Sequence, residues 1–208
     1  MESILRIPLQ LTTEQVRRLQ SLQHGFAQLC NALAPTVQST RVWNRVALHH
    51  LSYRQLREQF PAMGSQMVCN AIYSVSRTCR ALFQHPASPF HLDKLGDKPL
   101  PLLRFTDTCP VYFDRHTLSL KAGKLSMFTL DGRMRFSMSL DSADEQRFHE
   151  LKMREIVLEG SAMNGYTLSF VLADSDEAKD ARSSNSLSLE GDDPQAGEVP
   201  EYILVEET

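Results

Sequence analysis

Lys124-Leu125-Ser126-Met127-Phe128-Thr129-Leu130-Asp131-Gly132-Arg133-Met134-Arg135-Phe136-Ser137-Met138-Ser139-Leu140 carries the pattern that decides the fold. Met134, Phe136, Met138 and Leu140 alternate with Arg133, Arg135, Ser137 and Ser139, the two-residue period of a strand buried on one face. Asp131-Gly132 supplies a tight turn before it, and Ala122-Gly123 supplies another before Lys124. Thr117 to Lys121, Lys124 to Leu130 and the stretch from Arg133 therefore read as consecutive hairpin strands.

Downstream, Ser142 and Glu145 have the spacing of a capping box and open a short helix to about Leu151. Arg154 to Leu158 and Tyr166 to Leu172 are two further strands around Asn164-Gly165, and Val111 to Phe113 precedes the hairpins. At least five strands within roughly 70 residues, joined by tight turns, predict a small barrel or curled sheet.

Upstream the period is helical. Ser3 to Leu9 reads as a lone strand, with Pro8 suited to an edge. Thr12 and Gln15 form a capping box. Behind them Val16, Leu19, Leu22, Phe26, Leu29 and Leu33 recur every three or four residues, as on a helix expected to end before Pro35. A second helix is expected from about Thr40 to Leu51, a third capped by Ser52 through Gln59. A long one from Ser65 to about Phe83 would bury Val68, Ile72, Val75, Cys79 and Leu82. The fold class is thus α+β: a first strand at 1–9, a helical bundle at 10–84, a proline-punctuated connector at 85–103 and a small β-barrel at 104–173. With the first strand joining the barrel, the bundle becomes an insertion.

Charge divides the chain. The 208 residues carry a net −3, but residues 1–173 hold 20 basic against 14 acidic side chains, and 174–208 hold 2 against 11. A basic body of +6 precedes an acidic tail of −9. The tail is Ser-, Asp- and Glu-rich and too polar to offset its ordering entropy, so it is expected to be disordered, with Tyr202 to Val205 as a short docking strand. The four cysteines lie far apart with no Cys-x-x-Cys pair, the pattern of buried thiols rather than a zinc site or disulfides. No apolar run approaches a membrane span and no charged leader precedes an apolar stretch. A cytoplasmic location away from membranes is the expectation.

Several segments match one family in order. Leu5-Arg6-Ile7-Pro8-Leu9 followed by Thr12-Thr13-Glu14-Gln15 resembles the start of the TnpB (OrfB) proteins of bacterial insertion sequences. So do Cys30-Asn31, Val42-Trp43-Asn44, Ser52-Tyr53-x-x-Leu56-Arg57, Phe60-Pro61 before Ser65-Gln66, and Ala71-Ile72-x-x-Val75 through Ala81-Leu82-Phe83. The resemblance extends to about Leu172. It implies an oligonucleotide-binding-like barrel (the wedge domain) with an inserted helical recognition domain, together holding a guide RNA and helping to recognise a short DNA motif. Type V CRISPR effectors are related to the same family. Its members continue into a RuvC-type nuclease with three metal-binding acidic residues and zinc-binding Cys-x-x-Cys pairs. Here Phe170-Val171-Leu172-Ala173-Asp174 passes into the acidic tail, so the nuclease half is expected to be absent and Asp174 is not read as its carboxylate.

Arg54, Arg57, Arg77 and Arg80 on polar helix faces, and Arg133 and Arg135 on the polar face of a strand, are the candidate nucleic-acid contacts, because arginine forks pair with phosphate oxygens. Their ordinary role as solvated faces is the alternative. Phe128 and Phe136 beside the strand arginines could stack on bases but fall on expected inner faces. Trp43 and Tyr53 could stack or pack. His49 and His50 are adjacent and diverge on a helix. No catalytic residue, metal site or cofactor is expected.

The reading is a nuclease-lacking TnpB-like protein associated with a mobile element, binding RNA, or RNA together with DNA, as an accessory or regulator. A separately encoded nuclease or a full-length relative would be a further partner. The alternatives are a protein-interaction module, in which the acidic tail recruits the partner, and a decayed transposase fragment.

Overall fold

A computed structural model describes residues 2–138, 140–173 and 197–206. In chain order it runs β1 (Glu2–Pro8), α1 (Thr13–Thr40), α2 (Arg45–Gln59), a 3-10 turn (Pro61–Met63), α3 (Gly64–Phe83) and α4 (Leu92–Leu95). It continues with β2 (Leu102–Phe105), β3 (Val111–Phe113), β4 (Leu118–Lys121), β5 (Lys124–Thr129), β6 (Gly132–Ser137), α5 (Ser142–Glu150), β7 (Lys152–Ser161), β8 (Gly165–Ala173) and β9 (Ile203–Glu206). Two compact units divide the chain: Met1–Leu19 with Tyr112–Gly191, and Gln20–Val111 with Asp192–Thr208. No described helix is long and apolar enough to cross a membrane.

The strand-rich unit contains two sheets. One has the order β1-β8-β7-β3 and the other β4-β5-β6. β1 pairs antiparallel with β8, from Glu2 opposite Ala173 to Pro8 opposite Thr167, so the first strand joins strands distant in sequence, as expected. Pro8 sits at the outer edge of that sheet, where no ladder bond is required of its missing N–H. The core holds Leu5, Ile156, Leu158, Tyr166, Leu168, Phe170 and Leu172 from one sheet and Leu118, Leu125, Met127 and Met134 from the other. Phe148 of α5 meets Phe170 edge-on at 5.0 Å. The described strands form separate open sheets and not the expected closed barrel. Short strands with two-residue turns fold back on their immediate neighbours, and no pairing links the ends of the two sheets.

Two turns shape β4-β5-β6. Ala122 and Gly123 have φ of +49° and +69°, the doubly left-handed pair that a two-residue hairpin needs to match strand twist. Leu130 and Asp131 link β5 to β6, and Gly132 at φ +94° opposes Thr129. Asp131-Gly132 is therefore a turn residue followed by a left-handed glycine that already belongs to the strand.

In the helical unit, α1 buries Leu22, Phe26, Leu29, Leu33 and Val37, α2 buries Leu48 and Leu56, and α3 buries Val68, Ile72, Val75, Cys79 and Leu82. The Thr12/Gln15 capping box forms, with Thr12 N donating to Gln15 Oε1 at 2.9 Å and Gln15 N to Thr12 Oγ1 at 3.3 Å. Three sequence expectations are corrected. α1 does not stop before Pro35 but continues to Thr40. A mid-helix proline costs about 3 kcal/mol, offset here by burial of Ala34 and Val37 and a bond from Gln38 Nε2 to Leu100 O at 3.1 Å. The expected break at Ser52 is absent: Asn44 caps a single helix, accepting from Val46 N and Ala47 N, and Ser52 lies buried in mid-helix. α5 is capped by Asp141, which accepts from Asp144 N at 2.7 Å, rather than by Ser142.

The connector contributes β2, whose partner is β9, paired antiparallel from Leu102 opposite Glu206 to Phe105 opposite Ile203. The short apolar patch Tyr202 to Val205, expected as a docking strand inside the tail, forms β9. The rest of the expected disordered tail, residues 174–196 and 207–208, lies outside the described residues.

Candidate nucleic-acid interface

The register of β4-β5-β6 puts one set of side chains on each face. Leu118 opposes Met127, Leu125 opposes Phe136, and Met127 opposes Met134, which makes the inner face apolar. On the outer face Lys121 opposes Lys124, Ser119 and Arg135 flank Ser126, and Phe128 opposes Arg133. Lys121, Lys124, Arg133 and Arg135 are all exposed. No aspartate or glutamate occurs in the three strands.

Two features distinguish this face. Lys121 and Lys124 stand directly opposite each other across the hairpin, a like-charge pair that destabilises a sheet. Arg133 is held flat along the sheet: its Nε donates to Ser126 Oγ at 2.8 Å, Nη2 to Ser126 O at 2.9 Å and Nη1 to His116 O at 3.2 Å. A guanidinium has five N–H donors, so two of them remain unused by these bonds. The turn that presents His116 is ordered by Asp114, whose carboxylate accepts from His116 N, Thr117 N and Thr117 Oγ1.

Sequence reasoning named Arg133 and Arg135 here but missed Lys121 and Lys124. The signal was the Ala122-Gly123 turn, which fixes the two lysines as a cross-strand pair. It also placed both phenylalanines inside. Phe136 is half-buried on the inner face opposite Leu125, whereas Phe128 shares the outer face with Arg133 and is half-buried there. The correction follows from the period, because residues 124, 126 and 128 must face one way.

The other four arginines belong to the helical unit. Arg54 is 94% exposed and meets Glu58 at 3.5 Å one turn on, an i,i+4 pair on a solvated face. Arg57, one turn from Arg54 on α2, is half-buried, with Nη1 sealed from solvent and no hydrogen-bond partner. Arg77 and Arg80 are half-buried and one turn apart on α3. Arg77 Nη1 donates to Tyr73 Oη at 3.3 Å, and the Arg45 guanidinium lies 5.2 Å above the Tyr73 ring. Tyr73 thus stands between two cations, an arrangement the sequence did not reveal because Arg45 comes from another helix. Burial pushes the Tyr202 hydroxyl up, and the charge of Arg77 pulls it part of the way back. Trp43 packs against Phe83 at 5.3 Å and Tyr53 stacks on His49 at 4.5 Å, so both aromatics have intramolecular neighbours. His49 and His50 meet edge-on at 6.0 Å.

None of the four cysteines is in a disulfide, and Cys30, Cys79 and Cys109 are buried. Among the described residues no three His, Cys, Asp or Glu side chains gather as a metal site. No protein-family model matches the chain, and no curated protein matches it either.

Proposed function

We propose that this chain is a nucleic-acid-binding protein of TnpB-like layout that acts as an accessory or regulator by holding RNA, or RNA together with DNA. The observation that carries the reading is the acid-free outer face of β4-β5-β6, where Lys121, Lys124, Arg133 and Arg135 converge. An unfavourable lysine pair and a guanidinium fixed in advance are what a phosphate backbone relieves and uses. The order of strand, helices and strands supports the same reading, with the strand-rich unit standing for an oligonucleotide-binding-like wedge and the helical unit, with Arg54, Arg57, Arg77 and Arg80, for its inserted recognition domain.

The test is a binding titration of the full chain with a labelled RNA over a range of salt. Four phosphate contacts give a slope of log affinity on log salt of about −3. Replacing Lys121 and Lys124 with glutamine should flatten that slope by about one to two units, and the fold should survive because both side chains are exposed. If wild type shows no salt-dependent binding, the reading fails and a protein partner or a decayed fragment takes its place.

A further inference from the structure

We infer that the β4-β5-β6 face takes a single strand, not a duplex, with Phe128 as the platform on which a base stacks; this rests on the reading of that face as a phosphate-binding surface. Phe128 is the lone aromatic on the outer face of these strands and is only half-buried. Directly opposite it lies Arg133, and Ser126 and Lys124 follow along the same strand. Arg133 is bonded down onto Ser126 and His116, so it flanks the ring without reaching out past it. A face that combines fixed cations with an accessible ring matches how proteins track a single strand, because every base offers a π-face and stacking tolerates any sequence.

The position of the ring among the cationic rows points the same way. Successive cross-strand rows (Lys121/Lys124, Ser126/Arg135, Phe128/Arg133) lie two residues apart, which is about 6.8 Å along a strand. A duplex keeps its bases paired and stacked inside, so it would leave Phe128 against sugar and phosphate. A single strand can draw out until its phosphates meet the Lys121/Lys124 and Arg135 rows while one base turns onto Phe128.

The experiment compares a short labelled single-stranded RNA with a duplex of the same sequence, bound to wild type and to the F128L, F128A and F128Y variants. Wild type should prefer the single strand. F128A and F128L should weaken its binding roughly tenfold, the range expected for losing one stacked base, while duplex binding and the salt slope stay unchanged. F128Y should bind as wild type, which a role in packing alone would not require of the phenol ring. Thermal melts of each variant identify any loss that comes from unfolding, and F128L keeps most of the ring's bulk. Equal affinity for both nucleic acids with an indifferent Phe128 overturns the single-strand inference and leaves phosphate binding standing. No binding of either by wild type removes both.

Discussion

Arg18 Nη2 donates to Thr129 Oγ1 at 2.6 Å, and the same nitrogen reaches Gly132 O at 2.9 Å. The second turn of α1 is thereby clipped to the hairpin between β5 and β6, and Arg17 adds an ion pair to Asp131 at 3.5 Å. Thr129 is buried and its hydroxyl donates to Gly132 O, so the carbonyl that ends the turn has two donors. R18A should cost about 2 kcal/mol, because a charged hydrogen bond is lost and the buried threonine oxygen keeps no donor. R17A should cost far less, since both partners of its pair are largely exposed and the pair is screened by solvent. Urea denaturation of both variants tests the ranking, and equal losses would refute it.

The clip explains why part of this architecture was readable in sequence and part was not. Alternation in 124–140 and the helical stripe behind Thr12 report burial, and burial is a local periodic property. Hence β5, β6 and α3 stand where the periods put them, and α1 starts where its stripe starts but runs on past Pro35. At Pro35 and Ser52 local propensity is overridden: Gln38 bonds to the distant Leu100, and Ser52 is buried inside the helix that Asn44 caps. The barrel failed for a related reason: tight turns predict hairpins but say nothing about whether their outer edges meet. At the candidate face the two arginines and the outward side of Phe128 were legible from the period of one strand, whereas the pairing of Lys121 with Lys124 needed the register. β9 was visible as an apolar patch but its pairing with β2 was not.

Asn31 acts as a substitute strand. Its Nδ2 donates to Phe105 O at 2.9 Å and its Oδ1 accepts from Phe105 N at 2.7 Å, while Gln23 Nε2 donates to Cys109 O at 3.1 Å. These amides dock β2 and its flanks along α1. N31D keeps the acceptor but loses the donor and sets a carboxylate against the Phe105 carbonyl, at a cost of about 2–3 kcal/mol. N31L removes both bonds and strands a backbone N–H, so it should cost at least as much. Hydrogen exchange should show the loss concentrated at Phe105 and its neighbours in β2. Uniform loss across the molecule would argue against a local clamp.

Ala122 is held at φ +49° in the Lys121–Lys124 turn, where an L side chain is disfavoured by about 1–2 kcal/mol relative to right-handed backbone. A122G should relieve this and stabilise by about 0.5–1 kcal/mol, net of the entropy that glycine adds to the unfolded chain. A122V should destabilise by more than that, because a β-branched residue tolerates the left-handed region least. The measurement is the shift in denaturation midpoint, read alongside RNA affinity. Since the turn positions Lys121 opposite Lys124, A122V should also lower affinity, and A122G should leave it unchanged.

Alkaline pH should unfold this protein through its thiols. Burial raises the ionisation of Cys30 well above the ordinary range, with neighbouring Cys109 and Cys79 adding to it; burial alone raises Cys79. Cys109 is pushed up to about 12 by burial, with the charge of Asp107 contributing. In the unfolded chain these thiols ionise near pH ~8.5, so the folded state retains protons that the unfolded state releases. Their contribution to stability is fully present below that pH and is lost as pH rises toward 12, at about 1.4 kcal/mol per pH unit for each thiol. Three such groups remove about 4 kcal/mol per unit, enough within two units to consume the 5–15 kcal/mol typical of a domain. Urea melts in reductant should therefore be flat from these groups between pH 6 and 8 and fall steeply by pH 10. C79A should start less stable yet decline more gently, by about one third of the slope, and an unchanged slope in that variant would show that other groups drive the alkaline transition.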